Sequence, residues 1–241
     1  MAPVNEPGPD YDYPDRRSPK DGFEMNTNGN RCISCQPFMV LTSVLLLAAC
    51  GGLAAPKVTS QNTYVLEAGS AIQASQIKRD LVLAVSVPHA RPGFDTQQMA
   101  YVQQPYQLNY FANSRWADTP ARMLAPLIAQ AIAQTESFRA VLQTPGAIPV
   151  DVRLDTELVS LQQDFTTRPS RVRLTLRAQL IDVRGKRVLA ARQFNEVENA
   201  ASDDAYGGVS AANRLLPRLL GKLAEFCVNA PSHDMQSGAR P

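Results

Sequence analysis

Apolar and polar positions alternate most clearly over residues 150–158, where Val150, Val152, Leu154, Thr156 and Leu158 interleave with Asp151, Arg153, Asp155 and Glu157. A period of two predicts a strand with one buried and one solvated face. Val172, Leu174, Leu176, Ala178 and Leu180 repeat the pattern against Arg171, Arg173, Thr175, Arg177 and Gln179. The two strands are expected to pair antiparallel, acidic positions of one facing basic positions of the other. Arg184-Gly185-Lys186 predicts a turn into a further strand, Val188 to Phe194. Upstream, Thr63 to Glu67 forms a short first strand. Leu81 to Val87 is apolar on both faces and stops at Pro88, the pattern of a central strand. His89 to Phe94 is turn material. Met99 to Val102 and Tyr106 to Phe111, joined through Gln103-Gln104-Pro105, predict a hairpin of edge-like strands.

Two segments change to a helical period. The first starts at Asp118-Thr119-Pro120, with Thr119 as cap and proline at the first helical position. Met123, Leu124, Leu127, Ile128, Ala131, Ile132 and Phe138 fall on one stripe, and the helix is expected to end before Thr144-Pro145-Gly146. Pro126 should kink it. The second runs from Ala205 to Val228, with Val209, Ala212, Leu216, Leu219, Leu220, Leu223 and Phe226 on its apolar face and Pro217 as a bend. Asp203 and Asp204 suit the positive end of its dipole. Gly207-Gly208 has no strand before it and reads as a helix entry. The pattern predicts an α/β (α+β) fold: one compact domain over residues 61–229, with a mixed, mostly antiparallel sheet and two amphipathic helices. Residues 230–241 form a polar tail. No internal repeat is visible.

The apolar run from Phe38 to Ala49 has a different meaning. It is about a dozen residues long, whereas a membrane-spanning helix needs roughly 20. Arg31 supplies charge upstream, and the run ends in Leu47-Ala48-Ala49-Cys50-Gly51. That is the anatomy of a secretory signal over residues 25–49, and its ending looks like the lipobox of bacterial lipoproteins. Leu47, Ala48, Ala49 and Gly51 would then be the signal-peptidase recognition residues, and Cys50 the lipidated first residue, carrying acyl chains such as palmitate. Each buried CH₂ contributes about 0.8 kcal/mol, so several chains on one residue hold firmly. Residues 50–60 form a tether, of which 51–60 reach on the order of 30 Å when extended. Residues 1–24 are rich in proline and aspartate and predict disorder. Translation starting at Met25 would give a signal of ordinary length. Arg16-Arg17 is followed by Ser18-Pro19-Lys20-Asp21, unlike a twin-arginine export signal.

Composition narrows the function. The net charge of +2 gives no electrostatic footprint for nucleic acid. Cys32 and Cys35 lie within the signal, so the C-x-x-C spacing carries no redox or zinc reading in the mature chain. That leaves Cys227, beside Leu223 and Phe226 on a helix face, as a buried structural thiol. Only His89 and His233 could serve as histidine bases or ligands. No nucleophile elbow, H-E-x-x-H or phosphate-binding glycine loop occurs. Asp95 reads as a turn residue. The expectation is a protein that is not an enzyme, with no metal and no cofactor beyond the lipid on Cys50. Tyr101, Tyr106, Tyr110, Phe111 and Trp116 gather in sixteen residues. They pack as core, or with Arg115 they form a partner or lipid surface.

The stretch Tyr106-Gln107-Leu108-Asn109-Tyr110-Phe111-Ala112-Asn113-Ser114-Arg115-Trp116-Ala117-Asp118 resembles the ABC-type transport auxiliary lipoprotein family. Tyr64-Val65-Leu66, the Leu81 to Val87 strand with Pro88, and Ala211-Ala212-Asn213 fit the same pattern in order. The resemblance covers the mature domain and implies an accessory part of a mammalian-cell-entry (MCE) type transporter moving phospholipid or sterol-like lipids between the two membranes. It implies an MCE-domain protein with its ABC permease and ATPase as partners, and leaves a homo-oligomer open. Gly51 after the cysteine is similar to lipoproteins sorted to the periplasmic face of the outer membrane. A structural lipoprotein assisting assembly of an outer-membrane barrel is the alternative reading, and an exported hydrolase a third.

Overall fold

The computed structural model describes residues 60–231 apart from 70, 71, 145 and 147. Among the described residues, nine strands precede or separate two helices. They are β1 (Asn62–Tyr64), β2 (Arg79–Val85), β3 (His89–Ala90), β4 (Gln98–Val102) and β5 (Leu108–Trp116), then α1 (Pro120–Gln134). After it come β6 (Phe138–Gln143), β7 (Val152–Asp164), β8 (Arg171–Asp182), β9 (Arg187–Asn199) and α2 (Ala205–Asn229). The fold is a single α+β domain with a mixed sheet, as the residue pattern predicts.

Strand β7 is the hub. One edge pairs antiparallel with β8 along its whole length, and β8 pairs antiparallel with β9. The other edge is shared in succession by β2, β3 and β4, all parallel to it. Beyond β2 lies β6, beyond β4 lies β5, and β1 adds to the end of β5. Five of the eight pairings are parallel, but the long β7–β8–β9 meander makes most of the residue pairs antiparallel.

The apolar faces read from the sequence meet in one core. Leu154, Leu158, Leu174, Leu176 and Leu180 from the meander, Leu124, Ile128 and Ile132 from α1, and Leu215, Leu216 and Leu219 from α2 are buried in it. Each such side chain contributes about 1.5–3 kcal/mol on leaving water. The outer face of the meander is solvated. There Glu157 meets Arg177 at 3.0 Å, the acidic–basic facing expected across the two strands. Asp155, by contrast, lies opposite Gln179 and bonds Arg153 and Ser86.

Four expectations change. The first helix ends at Gln134, not before Thr144, and Phe138 belongs to β6. Thr135 folds its hydroxyl back onto the Ile132 carbonyl at 2.6 Å, and Glu136 takes a left-handed φ of 52°, which redirects the chain. Thr119 occupies the cap position without a side-chain cap bond. His89-Ala90 is not merely a turn, because it pairs with Glu157-Leu158. Finally, β4 is not an edge strand, since it lies between β5 and β7, whereas β5 is one over Leu108–Asn113, where β1 does not reach it.

Both ends of α2 are held. Asp204 accepts from the Gly207 N–H at 2.7 Å, while Asp203 accepts from the Ser170 N–H at 2.9 Å. At the far end, Arg79 donates to the carbonyls of Val228 and Ala230, both at 2.7 Å, satisfying groups that a helix terminus leaves open. Burial lowers the pKa of that guanidinium. Along the helix, Arg214, Arg218 and Lys222 reach Glu196 and Glu198 on β9.

Candidate functional site

The structure divides the aromatic group rather than uniting it. Trp116, at the end of β5 and opposite Tyr64 in register, is only 4 % exposed and belongs to the core. Its neighbour Arg115 is exposed, and its Nε lies 3.5 Å from the Thr63 hydroxyl, so the two do not stack. Successive side chains of a strand point to opposite faces, which separates them. Tyr101 and Phe111 meet across β4 and β5 with ring centroids 4.7 Å apart, half-buried. Phe165 closes this cluster edge-on at 5.8 Å from Tyr101 and 6.3 Å from Phe111.

Tyr110 is a latch: its hydroxyl donates to the Gly93 carbonyl at 3.0 Å. Gly93 has a φ of 88°, and a Cβ there would sit 3.0 Å from Leu108, so glycine is the residue this contact permits. Tyr106, at the hairpin turn, is fully exposed with a φ of 68°.

Beside this hairpin, β5 has an unpaired edge. β1 covers only Ser114–Trp116, and Leu108–Asn113 have no strand partner on that side among the described residues. A groove of about 440 Å³ lies over this part of β5, lined by Gln61 from the β1 side, by Gln97 and Gln98 from the β4 side, and by Phe111, Ala112 and Arg115 of β5 itself. An exposed strand edge presents free N–H and C=O groups to any extended segment that reaches it.

Asn213 fixes the chain that enters beside this edge. Its side-chain oxygen accepts from the Glu67 N–H at 3.0 Å and its amide donates to the Val65 carbonyl at 3.3 Å. This fixes the segment that follows β1 against α2. This tie and Phe165 are absent from a reading of spacing alone; Phe165 follows a strand whose phase has already shifted.

The proposed lipidation and recognition residues Leu47, Ala48, Ala49, Cys50 and Gly51 lie outside the described residues. Within them, no helix is long and apolar enough to cross a membrane, and no cluster of three or more His, Cys, Asp or Glu side chains could hold a metal ion. Cys227 is 1 % exposed, and burial pushes its thiol up to about 12.

Several carboxylates are committed to ion pairs. Burial alone would raise Asp155, Asp164 and Glu198, but hydrogen bonds and nearby arginines bring each below its ordinary value. Groups depressed in the folded state stabilise it above their unfolded pKa, and that stabilisation is lost as pH falls through the folded value. The melting temperature is therefore expected to hold from neutrality to about pH 5 and to fall below about pH 4, where free carboxylates begin to take up protons. A thermal scan across that range checks it.

The fold defines a class: an α+β domain with a mixed sheet, two helices and an open strand edge at β5. The chain belongs to the ABC-type transport auxiliary lipoprotein component family, whose family model matches residues 64–224. Protein XCC0632 from Xanthomonas campestris, a DUF330 protein, is similar in structure with a TM-score of 0.63 at 19 % identity, over 69 % of this chain and 94 % of that one. The crystal structure of an uncharacterized protein matches with a TM-score of 0.56 at 12 % identity, over 70 % and 99 %. These two show the fold. PelC from Paraburkholderia phytofirmans, crystallised as a dodecamer, matches at 0.40 and 14 % identity over 63 % of this chain and 92 % of its own. No curated protein matches the chain. As a member of a lipoprotein family, the protein is a membrane-anchored envelope component associated with ABC-type transport.

Proposed function

We propose that the protein is a non-catalytic accessory lipoprotein of an MCE-type transporter, moving phospholipid or sterol-like lipids between the inner and outer membranes. Cys50 carries the lipid, Leu47, Ala48 and Ala49 with Gly51 direct its processing, and Gly51 favours sorting to the periplasmic face of the outer membrane. The domain docks an MCE-domain partner whose permease and ATPase supply the energy. Homo-oligomer formation on the membrane is compatible with this arrangement.

The observation that carries the reading is the open β5 edge in a domain of this family. A partner strand laid along Leu108–Asn113 would satisfy its backbone groups, and the groove beside Ala112 would take alternate side chains. Tyr101 and Phe165 pack against Phe111 of that strand, Tyr110 locks it to Gly93, and Phe111 and Arg115 line the groove. Trp116 serves by holding β5 in the core.

A photocrosslinking side chain at Ala112, compared with one at exposed Gln179 on the solvated face of β8, tests this in intact cells. An MCE-protein adduct at 112 and none at 179 supports the reading. Equal adducts, or none at either position, would remove the edge as the docking surface.

A further inference from the structure

The β4–β5 hairpin turn has an unusual surface. No charged side chain occurs anywhere between Asp95 and Arg115, so the hairpin is uncharged from Gln98 to Ser114, whereas the β7–β8 surface carries charge at alternate positions. At its tip, Gln103-Gln104-Pro105-Tyr106-Gln107 are all exposed, and Tyr106 projects its entire ring into solvent from a left-handed backbone. Tyr106 touches none of the aromatic rings that pack beneath it. An amphipathic ring on a neutral tip suits the boundary between lipid headgroups and acyl chains, where one end of the ring is apolar and the other wet.

The direction of β1 limits where the anchor can lie relative to that tip. β1 runs parallel to β5 with Asn62 beside Ser114 and Tyr64 beside Trp116. The N-terminal end of β1 therefore lies on the side of Leu108 and the tip. From Ser114 back to Leu108 is six residues, about 20 Å at 3.3 Å per residue. From Cys50 to Asn62 is twelve residues, a reach of at most about 40 Å. The anchor can thus lie no more than about 20 Å past the level of the tip.

We infer that the hairpin tip is a membrane-contact element: the Tyr106 ring seats in the bilayer interface beside the anchor and turns the domain so that the β5 edge stands along the membrane normal. This rests on the lipoprotein reading of Cys50. One ring at an interface adds little to acyl chains in affinity; its effect is orientation, which settles how a partner reaching from the opposite membrane meets the β5 edge.

The test uses the full-length lipidated protein on vesicles of phosphatidylethanolamine and phosphatidylglycerol containing a nitroxide-labelled acyl chain. Tyr106→Cys and Val188→Cys each receive an environment-sensitive fluorophore. The buried Cys227 and a thioether-linked Cys50 leave the introduced thiol as the reactive one. Val188 is also exposed but pairs with Ile181 at the other end of the meander, so the length of β7, about 40 Å, separates it from the tip. Several-fold stronger quenching at 106 than at 188 is expected. Equal quenching in protein that floats with the vesicles would overturn the inference while leaving the anchor intact. Protein that does not float at all would overturn the anchor and the inference together. A response at 106 that follows protein concentration without lipid would assign the tip to a second copy of the chain instead.

Discussion

Trp116→Ala is expected to destabilise the domain by about 3–5 kcal/mol, the range for emptying a buried large aromatic site. The indole sits in the core where β1 and β5 meet, so its loss opens a cavity beside Tyr64 and loosens the strand that borders the docking edge. Arg115→Ala, one residue away, should change stability by no more than about 0.5 kcal/mol, because the guanidinium is solvated and its single bond to Thr63 is long. Urea denaturation of the two variants reads the contrast directly. A Trp116→Ala protein as stable as the parent would contradict the burial on which the division of the aromatic group depends. Partner binding adds a second contrast: Arg115 borders the groove, so its removal should weaken docking without unfolding the domain.

Gly207→Ala should be nearly as damaging, by roughly 2–4 kcal/mol. A Cβ there would lie 2.1 Å from the Ser202 carbonyl oxygen and 2.6 Å from its hydroxyl. The first contact is backbone and cannot swing away, so the entry to α2 must shift and weaken the Asp204 cap, itself worth about 1 kcal/mol. Gly208 is constrained differently, its added Cβ meeting the Gln163 side chain at 2.2 Å. Gly221, within the same helix, has open space around it. Gly221→Ala should therefore stabilise by about 0.5–1 kcal/mol through helix propensity. Opposite shifts of the two urea midpoints are the expected result; shifts of the same sign would contradict the account of the helix entry.

What could be read from the chain follows from which signals are periodic. The alternation through Val152–Leu158 and Val172–Leu180 gave the central strands and their antiparallel pairing, because one face is buried and the other solvated. The alternation ends at Leu158 for a physical reason: a bulge between Leu158 and Ser160 shifts the phase, so Leu161 and Gln163 turn inward and the strand runs on to Asp164. Strand β9 extends past Phe194 through Glu196 and Glu198, which look solvated but face the cations of α2. The run through Phe138 kept the helical stripe of α1, and only the left-handed Glu136 marks the break.

The candidate site was legible in composition but not in geometry. Aromatic side chains close in sequence along a hairpin alternate between faces, and which face is covered depends on strands remote in sequence. β1 leaves the edge at Leu108–Asn113 open, and β7 brings Phe165 against Tyr101. The tie between Asn213 and the backbone at Val65 and Glu67 crosses most of the chain. Its only trace in the sequence was the family-like Ala211-Ala212-Asn213.

Co-purification from crosslinked cell envelopes, comparing the native protein with Cys50→Ala, tests the central claim most directly. Recovery of an MCE-domain protein with the native form, sharply reduced when the anchor is removed, is the predicted result. Recovery of barrel-assembly components alone, or of an MCE protein at the same level from both forms, would contradict an anchored docking role in lipid transport.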